Sequence, residues 1–386
     1  MPRRTYLLTG ATGFLGSHLM AALLERGDRL VLLGRPSGTK SLALRISALL
    51  HWFGLEHRNA QVETVETDFL KPCCGLAAKS YQALCSKRAV FIHCASDTRF
   101  SESCRQESTA ANVKSLKEIL DLARNAKAEH LHYISTAYAS GIGSNFCPEA
   151  PVESQRFSNV YEETKAQAEK EVAARCRRDA IPYTIIRPSI VYGDSRSGRA
   201  NRFNALYNHV KSLYFIREIY LNDLEKHDGK KSRDCGIHLD DEGILNLPLR
   251  VTLTQHGYLN LIPVDYFVSV TLAVLDQAEN GSIFHVTSDA PKTVAELAVY
   301  CEIFLKMKGI RIVYGNDANE PAWNPPEALF NRFIEPYRHY LSDPRIFERT
   351  NTNRVTAGMM PPEFSYEVFQ RCMEYAVSVN WGKDNG

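Results

Sequence analysis

The chain has 386 residues, 44% hydrophobic and 23% charged, an ordinary globular composition that excludes disordered and fibrous architectures and leaves room for two domains. Its 46 Lys+Arg against 44 Asp+Glu leave a formal charge of +2, too weak a field to point to nucleic acid or an anionic membrane, so a small-molecule partner is expected. Ten cysteines at irregular spacings (73, 74, 85, 94, 104, 147, 176, 235, 301 and 372) form no C-x-x-C pair and no Cys/His ladder; they read as mostly buried free thiols in a reducing, cytoplasmic setting, without a metal site.

In chain order, the first 35 residues read as strand, turn, helix and strand: Tyr6-Leu7-Leu8, then Gly10 to Gly16, a helical run over 17–25 and a strand over 29–33. Arg3 and Arg4 ahead of residues 5–24 imitate a signal peptide, but three glycines, three threonines and a histidine make that stretch a poor hydrocarbon span. No other stretch approaches the roughly 18 uninterrupted apolar residues of a membrane helix. Strands follow over 62–67, 89–94, 130–135 and 183–187, separated by helix-period segments such as 113–126 and 162–176. That alternation predicts an α/β fold, with a parallel sheet covered by helices on both faces.

Beyond Pro188 the rhythm breaks. An aromatic helix is expected over 202–220, an exposed loop or insertion over the charge-dense 223–242, a helix over 263–277, and a strand over 282–287 that rejoins the sheet. Residues 294–306 read as an amphipathic helix, 316–327 as a Pro-rich loop, and the tail alternates aromatics with charges. The expected division is a dinucleotide-binding domain over 1–190, completed by a returning segment near 251–290, with 191–250 and 291–386 forming a smaller, interleaved substrate domain.

Thr9-Gly10-Ala11-Thr12-Gly13-Phe14-Leu15-Gly16 lies between the first strand and the first helix, where a Rossmann-type doubly wound sheet rests a dinucleotide pyrophosphate on a helix N-terminus. Gly10 permits the tight turn, Gly13 permits close approach of the phosphates, and Gly16 permits packing of the helix on the sheet. The spacing is G-x-x-G-x-x-G rather than G-x-G-x-x-G, and an ordinary tight turn is the competing reading. NAD enzymes usually end the second strand in Asp or Glu to hold the ribose 2′-hydroxyl, whereas Arg35 stands here and would meet a 2′-phosphate, so NADPH is the expected cofactor. A solvent-exposed arginine without a ligand is the alternative. Asp68, ending the third strand, is placed to accept from the adenine amino group or to cap a helix.

Tyr161 and Lys165 lie four residues apart at the start of a helix, on one face. A neighbouring ammonium stabilises a phenolate and brings tyrosine closer to proton exchange at neutral pH. Thr136 follows the strand over 130–135, so its hydroxyl is expected at the carboxyl end of the sheet, where such sheets bind ligands. Ser135 and Tyr138 are its local competitors. Ser135 should point to the opposite face, and Tyr138 reads equally as a packing aromatic.

Together T-G-A-T-G-F-L-G, H-C-A-S (93–96), Asn112 in A-N-V-K-S, S-T-A-Y, Y-E-E-T-K and R-P-S-I-V-Y-G-D-S (187–195) resemble the extended short-chain dehydrogenase/reductase superfamily over about residues 5–290. With N-L-I-P-V-D-Y (260–266), they resemble its fatty acyl-CoA reductase ("male sterility") and thioester reductase branch more than the sugar epimerases. The resemblance implies a catalytic triad of Thr136, Tyr161 and Lys165, with Lys165 also holding the nicotinamide ribose. Asn112 would position a water or backbone group in the proton relay. Gly10, Thr12, Gly13, Phe14, Leu15 and Gly16 would line the pyrophosphate, Ala95 and Ser96 the ribose, and Pro188, Ser189 and Ile190 the carboxamide. The implied reaction is NADPH-dependent reduction of an acyl thioester to an aldehyde, with a second reduction to alcohol left open. No carrier or adenylating domain is read in this chain, so the acyl group is expected on CoA or on a separate acyl carrier protein. Aromatic segments 207–220 and 330–347 read as an acyl tunnel or, more simply, as core. A homodimer through a four-helix contact including the Tyr161 helix is a further expectation. The alternatives are a ketone/alcohol dehydrogenase or nucleotide-sugar epimerase on the same fold, and a non-catalytic NADP-sensing regulator, which could dispense with the tyrosine and lysine.

Overall fold

In the computed structural model, which describes residues 4–315 and 322–385, the chain runs through β1 (Thr5–Thr9), α1 (Phe14–Glu25), β2 (Arg29–Gly34), α2 (Leu42–Phe53), β3 (Val62–Glu66), α3 (Ala78–Cys85), β4 (Val90–His93), α4 (Arg105–Thr109), α5 (Leu116–Asn125), β5 (His130–Ile134), α6 (Val160–Arg178) and β6 (Tyr183–Pro188). There follow β7 (Ile190–Tyr192), α7 (Leu206–Lys226), β8 (Leu245–Leu253), β9 (Leu261–Pro263), α8 (Val264–Gln277), β10 (Ser282–Val286), α9 (Val294–Leu305), β11 (Met307–Tyr314), α10 (Pro325–Ile334), α11 (Thr350–Val355) and α12 (Tyr366–Ser378). These elements divide into two units, the first holding the chain up to Ser189 with Val264–Thr287 and Phe347–Pro361, the second Ile190–Pro263, Ser288–Ile346 and the residues from Pro362. The returning segment is thus shorter than the expected 251–290, and the piece Phe347–Pro361 has no counterpart in the sequence reading.

The first unit is a seven-stranded parallel sheet in the order β10-β6-β5-β4-β1-β2-β3, the α/β architecture the alternation predicts. Its central strands are near-continuous apolar runs because helices cover both faces, whereas β3 at the edge (V-E-T-V-E) leaves its glutamates in solvent. One core layer joins Leu7, Phe91, Leu131, Tyr133 and Ile185 from the strands to Leu120 and Val172 from α5 and α6. The segment expected as one helix over 113–126 begins inside a π turn at Ala110–Lys114, which follows α4, and continues as α5, and the first helix begins at Phe14 inside the glycine turn. Buried Glu149 ties α11 to β10, accepting from the His285 amide at 2.7 Å and the Thr352 hydroxyl at 2.7 Å. The helices α5 and α6 turn Lys117, Arg124, Gln167, Lys170 and Arg177 to solvent.

In the second unit β8 and β11 pair in parallel, a sheet the sequence reading missed. Pro248 sits where the register shifts between Asn246 and Leu249, and Gly309 (φ 111°) faces Leu247 across the bulge, so each strand is broken by a residue that ordinarily argues against one. The polar stretch expected as a loop over 223–242 is structured: α7 runs on to Lys226, a short helix spans Lys230–Asp234, and the Asp223 carboxylate accepts from the Ser232 amide and hydroxyl at 2.8 and 2.7 Å. Of the expected loop 316–327, residues 316–321 lie outside the described residues, and α10 begins within the rest at Pro325, capped reciprocally by Asn324 and Glu327. The tail forms α12. A cavity of about 60 Å³ is lined by apolar side chains including Val210, Leu213, Val251, Leu297 and Phe330. Tyr207 and Tyr220 of the aromatic segment are buried but do not line it.

Candidate active site

The glycine turn closes on itself and on the end of β4. Gly10 has φ 78°, and a Cβ there would lie 2.6 Å from the Ala95 amide nitrogen, so glycine is the only residue that fits. A Cβ on Gly16 would fall 2.2 Å from the Gly10 carbonyl oxygen, which makes Gly16 a packing residue beneath the turn rather than part of its rim. Helix α1 starts behind this turn with no side-chain cap and no acidic residue in its first turn. An uncapped N-terminus behind a glycine cradle suits a dinucleotide pyrophosphate, so the residues present fit the cofactor. Thr12, Gly13, Phe14 and Leu15 lie on the accessible side of the turn, whereas Gly16 is buried. The Thr9 hydroxyl accepts from the Ala95 amide at 3.2 Å and lies 2.7 Å from His93 Nδ1, fastening β4 and its continuation, Ala95 and Ser96, beside the turn.

Arg35 stands exposed just past β2, its carbonyl accepting from the Arg45 guanidinium at 3.1 Å. The Asp68 carboxylate accepts from the Leu70 amide at 3.1 Å and pairs with Lys71 at 3.2 Å, and those partners, the amide foremost, hold it below the usual carboxylate range.

Asn112, on the π turn, spends its amide on a clamp: Oδ1 accepts from the Ser96 hydroxyl (3.0 Å) and the Asp97 amide (2.7 Å), while Nδ2 donates to the Asp97 carbonyl (2.9 Å) and Thr164 Oγ1 (3.0 Å). It joins the loop after β4 to α6 and makes no hydrogen bond to Thr136, Tyr161 or Lys165.

Thr136 follows β5, buried, with its hydroxyl 3.4 Å from the Pro188 carbonyl and beside the Tyr161 phenol. Asn159 caps α6, accepting from the Glu162 amide at 3.0 Å, and thereby orients the first turn that carries Tyr161. Burial raises the Tyr161 phenol, with Thr136 opposing, so the group stays protonated as a proton donor should. One turn on, Lys165 donates to the Ile134 carbonyl at 2.6 Å and Tyr133 Oη at 3.1 Å, and burial lowers it to about 8. The sequence reading expected the ammonium to act on the Tyr161 phenol; its hydrogen bonds go to β5 instead. Phe100, in the loop after β4, packs its ring 5.9 Å from that of Tyr161.

The Ser189 amide donates to the Val286 carbonyl at 3.0 Å, and the buried hydroxyls of Ser135, Ser189 and Thr287 find no partner among the described residues. All three sit just past the carboxyl ends of adjacent strands β5, β6 and β10, where a polar ligand group would satisfy them. Ile190, by contrast, opens β7 in the second unit, paired with Leu261 of β9. Sequence reasoning missed Thr9, His93, Phe100, Tyr133 and Thr287. Only Thr287, ending a strand beside Ser189, carried a positional signal. Among the described residues no group of three or more His, Cys, Asp or Glu side chains is placed to hold a metal ion, and no helix is long and apolar enough to cross a membrane.

The sequence profile described as male sterility protein, an NAD-binding family, matches residues 8–271. The chain belongs to the male sterility family. Among curated relatives, the nonribosomal peptide synthetase asaC of Aspergillus flavus is 23% identical over 95% of this chain, and a linear gramicidin synthase of Brevibacillus parabrevis is 30% identical over 52% of it. The chain spans only 36% and 4% of the length of these two relatives. Among solved structures, the terminal R domain from the myxalamid PKS-NRPS biosynthetic pathway aligns with TM-score 0.76 and 23% identity over 99% of this chain and 93% of its own. A UDP-glucuronic acid 4-epimerase from Bacillus cereus in complex with NAD aligns with TM-score 0.65 and 16% identity over 98% of both chains. This male sterility family chain, of an NAD-binding family, thus shares its fold with the R domain and with the epimerase.

Proposed function

We propose that the chain reduces an acyl thioester, carried on an acyl carrier protein or CoA, to an aldehyde, with NADPH as reductant. The observation that carries this reading is the placing of the Thr136 hydroxyl, past the end of β5, beside the Tyr161 phenol of α6, with Lys165 one turn on, in a chain that aligns over 99% of its residues with the terminal R domain of the myxalamid PKS-NRPS pathway. Arg35 in place of an acid at the end of β2 supports NADPH over NADH and weighs against a tightly held NAD of the epimerase kind.

The glycine turn of Gly10, Thr12, Gly13, Phe14 and Leu15 would hold a reduced nicotinamide dinucleotide, which would supply a hydride for the carbonyl carbon. Thr136 and Tyr161 donate hydrogen bonds to the carbonyl oxygen as it gains charge, and Tyr161 then transfers its proton to it. Lys165 keeps a positive charge buried behind β5, which favours the phenolate that Tyr161 leaves. The C–S bond of the resulting hemithioacetal breaks, its hydroxyl proton passes to the sulfur, and aldehyde and thiol leave; the balance is one hydride and one proton added for one thiol released.

The test follows loss of NADPH absorbance with acyl-CoAs, acyl-pantetheines, acyl-loaded carrier protein, 3-ketoacyl compounds and nucleotide sugars. Oxidation with a thioester and formation of an aldehyde are expected. Rapid turnover of a free ketone or a nucleotide sugar, with none of any thioester, would overturn the reading.

A further inference from the structure

Lys165 is 1% exposed, so its ammonium must find its hydrogen bonds inside the protein. It finds them on β5, at the Ile134 carbonyl (2.6 Å) and Tyr133 Oη (3.1 Å), and its nitrogen also lies 4.5 Å from the centroid of the Tyr133 ring. The neighbouring carboxylate, Glu169, is committed elsewhere: Arg187 takes both its oxygens at 2.9 and 2.6 Å. Among the described residues, Tyr133 is therefore the one side chain that hydrogen-bonds the ammonium.

Tyr133 is itself held rigidly. Alternation along β5 places it with Leu131 on the α6 face, where it is 1% exposed in the core layer with Leu120 and Val172. Its ring stacks on His93 at 5.7 Å and 20°, and His93 Nδ1 lies 2.7 Å from the hydroxyl of Thr9, the residue before Gly10. Contacts thus run unbroken from the glycine turn through His93 and Tyr133 to the ammonium. Burial, helped by the Lys165 charge, lowers His93 to about 3, so the ring behind Tyr133 is neutral and does not repel the cation.

We propose that Tyr133 is the positioning residue for Lys165, fixing the ammonium through its phenol oxygen and ring face so that one N–H is left unengaged by the protein. This rests on Lys165 being the lysine of the active site. Phenylalanine at this position keeps the ring face and nearly the same volume and removes only the acceptor. The charged form of Lys165 then loses a charge-assisted hydrogen bond, the neutral amine only a weaker one to the same phenol, so the lysine gives up its proton at lower pH.

The experiment measures kcat/KM for NADPH from pH 6 to 10, with thermal midpoints, for wild type, Tyr133→Phe and Lys165→Met. Wild type is expected to lose activity above about pH 8, where Lys165 neutralises. Tyr133→Phe should move that alkaline limb down by about one pH unit, an extra loss of about tenfold at pH 9, with little change at pH 6.5. Site-specific 3-fluorotyrosine at 133, a weaker acceptor of the same shape, should shift the limb in the same direction by less, which keeps the test available if the phenylalanine variant folds poorly. A Tyr133→Phe profile that superimposes on wild type, or that falls equally at every pH, overturns the proposal. Full activity in Lys165→Met would overturn the reading of the site itself; a dead Lys165→Met beside a wild-type Tyr133→Phe would overturn only the role of Tyr133.

Discussion

Burial keeps the Tyr161 hydroxyl protonated beside Thr136, so removing that single oxygen tests the chemistry with little disturbance of packing. Tyr161→Phe should lower kcat more than a hundredfold while NADPH binding, followed by fluorescence, is retained; unchanged turnover would show that the proton comes from elsewhere. Arg35 projects from the end of β2 into solvent and contributes nothing to the core, so its replacement reads out cofactor choice alone. Arg35→Asp should reduce the ratio of kcat/KM for NADPH over NADH by at least about tenfold, since a carboxylate repels a 2′-phosphate and accepts from a 2′-hydroxyl. At this scale the chain was only partly legible. The four-residue offset of Tyr161 and Lys165 and the strand-end position of Thr136 follow from helix and strand periodicity. The partner of Lys165 does not, because Tyr133 is 32 residues away on another element and looks, along β5, like one more apolar residue of a buried strand.

Among the elements, α6 carries most of the site, since its first turn presents Tyr161, its second Lys165, and Glu169 beyond it anchors β6 through Arg187. That first turn depends on Asn159, whose side chain accepts from the Glu162 amide. Asn159→Ala should cost about 1 kcal/mol in urea denaturation and reduce turnover severalfold, because the fraying turn is the one that aims the phenol. An equal loss of stability with full activity would mean that the phenol is aimed without the cap. The strands of the first sheet were legible to within a residue or two, because a strand buried on both faces announces itself as a continuous apolar run. The π turn at Ala110–Lys114 was not, and the partners of its Asn112, Ser96, Asp97 and Thr164, lie on other segments of the chain.

At the scale of the whole molecule, the first unit buries His93, His132 and His285 at 3%, 1% and 0% exposure, and burial lowers all three, to about 3 for His93 and His285. Below their unfolded value of about 6.5 the unfolded chain binds protons that the folded one refuses, so stability present at neutral pH is lost as pH falls. Each such histidine contributes up to about 1.4 kcal/mol of loss per pH unit in that window, and the urea midpoint should drop markedly between pH 7 and pH 5. An unchanged midpoint would show that these rings are hydrated. What the amino-acid sequence determined by itself was the alternation of strands and helices in the parallel half, its glycine turn and the four-residue spacing of Tyr161 and Lys165, which leave a local period of two or of 3.6 or a glycine pattern in the chain. Only the tertiary structure decided that Phe347–Pro361 belongs to the first unit, held by Glu149 to residues some 203 positions away, and that β8 and β11 form a sheet in spite of Pro248 and Gly309. Those decisions come from burial and pairing between distant segments, where each residue's local preference is weak or contrary and the sum of contacts across the fold outweighs it.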